Sequence, residues 1–83
     1  MENCKTCVVI IQYSFFTPYE IVEGGFETTC IRKFTVCEER MEIIRNLFEC
    51  YGATYNSEED AFELSSQGSY EAMTEYLSMY STL

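Results

Sequence analysis

The sequence predicts a small α+β domain in which an antiparallel sheet of about four strands carries two helices on one face. Two segments near the N-terminus are rich in β-branched and aromatic residues and alternate with the period of two that is typical of strands. Two later segments repeat apolar residues at the three- and four-residue spacing of amphipathic helices. The chain has 83 residues, 47% of them hydrophobic, which is enough for one core. We therefore expect a single domain over residues 1–83, with the order ββαββα.

The first two elements are predicted to form a long hairpin. Segment 7–15 alternates, and one face of the strand would carry Cys7, Val9, Ile11, Tyr13 and Phe15. Pro18 is expected to end this strand because proline has no N–H to donate, and the pair Gly24 and Gly25 supplies a permissive turn. Segment 26–34 is the returning strand.

A helix is predicted next, over residues 35–51. Thr35 and Glu38 have the spacing of a capping box, in which each side chain bonds the backbone N–H of the other. Gly52 is a natural stop. The apolar stripe of this helix consists of Met41, Ile44, Leu47, Phe48 and Tyr51.

The remaining segments predict two short strands and a final helix. Strands 53–56 and 61–65 would be joined by the polar turn 57–60, which holds three adjacent acids. The last helix is expected to open at Gly68 and Ser69, with Ser69 as its N-cap, and to run to about residue 80. Its apolar stripe is Met73, Tyr76, Leu77 and Tyr80.

Composition argues against most catalytic chemistry. The chain contains no histidine, so it has no imidazole base and no Ser–His or Cys–His nucleophilic pair. We predict a protein that is not an enzyme, with no catalytic residues and no cofactor.

The sequence shows no segment that would direct the chain out of the cell or into a membrane. Residues 8–11 form an apolar run that is too short for a signal peptide or a membrane span. We expect an intracellular protein whose five cysteines are reduced.

Cys4 and Cys7 form a CxxC motif, but the second knuckle of a structural zinc site is missing, because Cys30 and Cys37 are seven residues apart and are predicted on different elements. The two cysteines remain weak metal candidates, and a small Cys-ligated metal-binding domain remains the third functional alternative.

Charge is sorted along the chain. All five basic residues occur by Arg45, and the following 38 residues carry seven acids and no Lys or Arg, which accounts for most of the net charge of −9. Such a chain is poorly suited to bind phosphates. It is better suited to occupy a Lys/Arg-rich groove that normally binds nucleic acid, with tyrosines as anchors. The candidate partner-binding residues are Glu49, Glu58, Glu59, Asp60, Glu63, Glu71, Glu75, Tyr55, Tyr70 and Tyr76.

This interpretation depends on one condition and has one competitor. The acids would form one surface only if turn 57–60 and the start of the last helix lie at the same end of the sheet. The competing interpretation is that the acids only keep a small domain soluble.

In size, acidity, single mixed domain and absence of a catalytic motif, the chain resembles small phage-encoded inhibitors of bacterial immunity, including anti-CRISPR proteins. The resemblance implies a non-enzymatic inhibitor in the cytoplasm of a bacterial host. Its partner would be a CRISPR effector nuclease or surveillance complex, bound at its DNA, PAM or guide-RNA contacts. From the charge and the short apolar run, we expect no direct binding to nucleic acid or to a membrane.

The alternative, from another class, is a protein-interaction module or homodimer. Such a protein would use an open sheet edge or the Tyr/Met face of the last helix.

Overall fold

A computed structural model describes residues 5–18 and 24–82 of the chain. It contains four strands, one 3₁₀ turn and two α-helices, and it confirms the α+β class. The elements are β1 (Thr6–Pro18), β2 (Gly25–Cys37), the 3₁₀ turn (Glu38–Arg40), α1 (Met41–Cys50), β3 (Thr54–Asn56), β4 (Ala61–Glu63) and α2 (Gln67–Met79).

The four strands form one mixed sheet in the order β2-β1-β4-β3. β1 pairs with β2 along its whole length in antiparallel register, from Thr6 opposite Cys37 to Pro18 opposite Gly25. β3 and β4 are also antiparallel, but β4 runs parallel to β1, with Ile11 opposite Phe62. The prediction of an all-antiparallel sheet was therefore wrong.

The parallel pair follows from which strand of the second hairpin lies inside the sheet. α1 carries the chain back along the sheet after β2, so β3 runs opposite to β1 and β4 runs with it. β4 is the more apolar strand: Ala61 and the adjacent Leu64 are 1% and 2% exposed, whereas Tyr55 of β3 is 50% exposed. Burial of apolar surface places β4 against β1 and leaves β3 at the edge.

Both helices pack on the same face of the sheet, as predicted. Val9 and Ile11 lie on this face of β1, and because residues in a strand alternate, Phe34 and Val36 of β2 lie beside them. The single core cluster consists of Val9, Ile11, Phe34, Val36, Ile44, Phe48, Leu64, Met73 and Leu77. Phe48 of α1 stacks on Phe62 of β4 with ring centroids 4.0 Å apart.

The opposite face of the sheet, here called the outer face, is partly uncovered. Val8 of β1 and Ile31 of β2 lie on it, and each is 58% exposed. Lys33 shares this face because its strand partner is Ile10, one residue removed from the buried Val9 and Ile11.

The β1–β2 hairpin extends beyond the helices. A strand of 13 residues is about 43 Å long, whereas a helix of 13 residues such as α2 is about 20 Å long. The molecule measures 59 × 24 × 24 Å, with a radius of gyration of 15.1 Å, against about 12 Å for a compact domain of this length. We call residues 14–18 and 25–29 the arm; its aromatic side chains Phe15, Phe16 and Phe26 are 39–60% exposed.

Two of the predicted helix starts were wrong. Thr35 does not cap a helix, because it is still in β2, opposite Val8, and its carbonyl accepts a hydrogen bond from the N–H of Thr82 at 2.8 Å. The helical segment begins at Glu38 instead, after Cys37, without a side-chain cap. Cys30 and Cys37 therefore lie on one strand and not on different elements.

The last helix also starts earlier than predicted. Ser66 Oγ accepts a hydrogen bond from the N–H of Ser69 at 3.1 Å, so Ser66 is the N-cap. Ser69 supplies the amide that is capped, in the third helical position. Gly52 follows α1 with φ at 72°, which matches the predicted glycine stop.

Ile43 and Ile44 provide a matched test of this packing, because they are adjacent on α1 and differ in burial. Ile44 is fully buried and Ile43 is 50% exposed. We expect Ile44→Ala to lower the free energy of unfolding by about 2–5 kcal/mol, since it leaves a cavity in the core. Ile43→Ala should change it by about 0.5 kcal/mol or less. Urea unfolding followed by circular dichroism measures both, and equal losses would contradict the assigned helix face.

Candidate protein-binding surfaces

The acidic turn, residues 57–60, is held in place by its flanking side chains. Asn56 Oδ1 accepts hydrogen bonds from the backbone N–H groups of Glu58 at 3.0 Å and Glu59 at 3.3 Å. Asp60 has a left-handed backbone with φ of 54°, and the Tyr55 hydroxyl donates to its carboxylate. Glu58 and Glu59 are exposed and project from this fixed turn.

The Tyr55–Asp60 contact also changes the acidity of the tyrosine. The hydrogen bond to Asp60 raises the pKa of the Tyr55 hydroxyl above its usual 10.0, because the neutral hydroxyl is the donor and ionisation breaks the bond. The negative charge of Asp60 acts in the same direction. Asp60 is thus engaged within the turn, and only Glu58 and Glu59 present side chains that are not used locally.

A second acidic patch lies on α2. Glu71 and Glu75 are exposed one helical turn apart, and Gln67 Nε2 donates to Glu71 Oε2 at 3.0 Å. β4 separates this patch from the acidic turn, because the turn precedes β4 and α2 follows it. The acidic turn and the start of α2 therefore lie at opposite ends of β4, a strand of three residues, and not at the same end. The condition for one continuous acidic surface is not met.

The two remaining acids of the predicted set lie apart from both patches. Glu63 is opposite Gln12, so it is on the outer face and points away from the helices. Glu49 is exposed near the C-terminal end of α1.

Two of the three arginines in the described residues, Arg32 and Arg40, contact aromatic rings, and no carboxylate there forms an ion pair. Arg40 lies over the ring of Tyr80 at 3.8 Å and donates to the Tyr76 hydroxyl at 3.3 Å. Arg32 lies over the ring of Phe34 at 5.2 Å. The carboxylates consequently keep their charge uncompensated within the chain.

A cavity of about 450 Å³ opens beside the acidic turn. It lies where the start of β1 extends past β4, so no described residue pairs with that edge of β1 there. Its walls are mainly apolar, with one cation and one acid: Cys7, Val8, Ile10, Met41, Arg45, Tyr55, Asp60 and Phe62. Such a groove suits the apolar stem and polar head of a long side chain from a partner.

A second cavity, of about 350 Å³, lies between the arm and the start of α2. Tyr13, Phe15 and Tyr70 supply aromatic walls, and the Tyr13 and Tyr70 ring centroids are 6.0 Å apart. Burial raises the pKa of the Tyr70 hydroxyl. Glu71 lines the same cavity, so this acid and the predicted anchor Tyr70 are brought together.

The third predicted anchor, Tyr76, is occupied inside the protein. It packs on Tyr80 with ring centroids 4.8 Å apart and accepts the hydrogen bond from Arg40. Met73 and Leu77 are fully buried against the sheet. Met73 and Leu77 of the predicted Tyr/Met face are therefore used in the core, which leaves Tyr80 as the exposed member of that stripe.

Sequence reasoning missed the aromatic residues of the arm as surface groups. Phe15 continues the alternation of the buried Val9 and Ile11, so the pattern alone assigns it to the core. Length was the available signal. A helix of 13 residues such as α2 covers only about half the length of a 13-residue strand, so the distal part of the core-facing stripe is left exposed.

The cysteines differ from the expectation that all are reduced thiols. Cys37 is disulfide-bonded, whereas Cys7, Cys30 and Cys50 are free. Cys4 of the CxxC motif lies outside the described residues. Among residues 5–18 and 24–82 there is no group of three or more cysteines and acids that could hold a metal ion.

No helix in the described part of the chain is long and apolar enough to cross a membrane. Comparisons with known proteins identify no relative: no family model matches, and neither a curated protein nor a solved structure is significantly similar. Function must therefore be argued from the surfaces described above.

The Tyr55–Asp60 contact predicts a shifted ionisation that one substitution should reverse. Asp60→Asn removes the charged acceptor, so the pKa of Tyr55 should fall back toward 10.0. In the native protein the hydrogen bond is present at neutral pH and is lost as pH rises through the raised pKa. NMR titration of the tyrosine Cζ signals measures both sites. The raised pKa of Tyr70 should be unchanged in the variant, and an unaltered Tyr55 titration would contradict the contact.

Proposed function

We propose that this protein is a non-enzymatic inhibitor that occupies a Lys/Arg-rich groove of a nucleic-acid-handling complex, in the manner of an anti-CRISPR protein. The observation that supports the proposal most directly is the acidic turn. Glu58 and Glu59 project from a backbone held by Asn56 and Asp60, and no cation of the described residues pairs with them. Because the backbone of this turn is already held, it loses little backbone entropy when the two carboxylates meet a basic partner.

The proposed contact would use two separate acidic patches. One is the acidic turn, and the other is the exposed side of α2 with Glu71 and Glu75. Two acidic patches separated by the length of a strand can contact separate phosphate-binding positions in one groove. Exposed Tyr55 beside the turn and Tyr70 beside Glu71 supply rigid aromatic area next to each patch.

The mechanism would be direct competition with nucleic acid. Carboxylates take the positions of phosphates against arginine and lysine, so association is accelerated by charge complementarity and weakened as salt screens it. The inhibitor itself needs no chemical step. Its host would be a bacterial cell that carries the targeted complex.

A charge-reversal pair tests the proposal against a solubility role. We expect Glu58→Lys/Glu59→Lys to weaken inhibition of the sensitive member of a panel of purified CRISPR effector nucleases by about 100-fold, because four units of charge change at the contact. DNA cleavage and DNA binding by each nuclease are measured with increasing inhibitor at low and high salt.

The matched control is Glu38→Lys/Glu39→Lys, which changes the net charge equally. These two acids are exposed in the 3₁₀ turn after β2, at the opposite edge of the sheet from the acidic turn. Full activity of the control and loss in the turn variant support a local contact. Equal losses in both would assign the effect to net charge, and unchanged inhibition by the turn variant would reject acidic mimicry.

A further inference from the structure

β2 is the terminal strand of the sheet, so one of its edges, here called the outer edge, faces away from β1. Among the described residues, only the end of this edge is paired: Ser81 bridges to Val36, and the N–H of Thr82 donates to the carbonyl of Thr35. Over residues 27–33, no described residue pairs with this edge. An open edge of this length is a template for pairing with another strand.

The alternation of backbone groups shows which residues bond outward. The Thr35 carbonyl points away from β1, because it accepts from Thr82. Successive residues of a strand direct their backbone N–H and C=O groups to opposite sides. The backbone groups of Glu27, Thr29, Ile31 and Lys33 therefore also point away from β1, toward the outer edge. Cys30 points its backbone groups toward β1, where it lies opposite Tyr13.

We propose that the partner at this edge is a second copy of the chain, paired antiparallel about a two-fold axis at Cys30. Cys30 is the midpoint of the open segment, so this register uses the whole of it. Glu27 then lies opposite Lys33 of the second copy, Thr29 opposite its Ile31, and Phe26 opposite its Phe34. The two sheets become one continuous sheet with all four helices on one face.

Charge selects this register from its neighbours. Glu27 and Lys33 both lie on the outer face and are both exposed, and the two-fold axis forms their pair twice. Moving the axis to Thr29 places Glu27 opposite Ile31, and moving it to Ile31 places Glu27 opposite Thr35. Registers centred between residues would place groups of opposite faces against each other, which is incompatible with one buried face.

The arm supplies a physical reason for pairing. A two-stranded hairpin is marginal in water, and residues 14–18 and 25–29 extend past the helices with exposed aromatic side chains. Pairing through β2 makes this region four-stranded in the dimer. The acidic turn stays accessible because it lies at the other edge of the sheet, beside β3.

Cys30 makes the register measurable. On the outer edge it would form a non-hydrogen-bonded pair with its symmetry mate, for which the Cα–Cα distance is about 4.5 Å, within the range that a disulfide spans. Cys30 is a free, half-buried thiol. In a Cys7→Ser/Cys50→Ser background, diamide, which takes up two electrons and two protons, should link two chains through Cys30.

The control moves the thiol two residues along β2, to position 28 on the same face. Cys30→Ser/Thr28→Cys in the same background places the two thiols about 14 Å apart along the strands. Thr28 is half-buried, as Cys30 is, so the two positions are matched in exposure. Non-reducing gels should show the linked dimer for Cys30 and not for position 28. Equal linkage at both positions, or none at Cys30, would overturn the register.

Charge reversal at the Glu27–Lys33 pair provides a second test of the dimer. Sedimentation equilibrium of the native chain should give twice the 9.7 kDa protomer mass. Lys33→Glu should raise the dimer dissociation constant about tenfold, because two attractive pairs become repulsive. The exchange variant Glu27→Lys/Lys33→Glu should restore it. A monomeric native chain, or a dimer indifferent to both variants, would overturn the proposal.

Discussion

The ladder between β1 and β2 is the constraint on which the rest of the molecule depends. Thirteen consecutive pairs hold these strands in one register, and the inward residues of both provide the floor on which α1 and α2 pack. β4 then joins the free edge of β1, where Leu64 donates to the carbonyl of Gln12 at 2.9 Å. Because the ladder is twice as long as either helix, it also produces the exposed arm and the open edge of β2.

The carboxylates stay uncompensated because of what Arg32 and Arg40 contact. Arg32 and Arg40 lie over aromatic rings within the protein, so they do not neutralise the acids. Cation–π contacts of this kind fix the arginine side chains in place. The charge asymmetry of the sequence therefore survives folding, but as two acidic patches at opposite ends of β4. An inhibitor built this way would contact its target at two points instead of along one face, and the β2 edge would remain available for self-association.

Much of the fold was predictable because neighbouring residues in sequence decide it. Alternation correctly assigned Val9 and Ile11 to the core face, and helical spacing correctly assigned Ile44, Phe48, Met73 and Leu77. The helix starts were less predictable. Thr35 has the chemistry of a cap, but the backbone of Thr35 is already bonded in a ladder with residues far away in sequence, and Ser66 and Ser69 are both competent caps that only geometry distinguishes.

Local patterns in the chain determine which residues face inward, where strands and helices occur, and that the acids follow the last cation. Only the assembled sheet decides that β4 and not β3 lies beside β1, which makes the sheet mixed. The same topology decides that the acidic turn and the start of α2 are at opposite ends of β4, and that Met73 and Leu77 of the α2 stripe are in the core. These outcomes depend on competition for buried area among distant segments, and that free energy is a property of the whole packing arrangement and not of any segment alone.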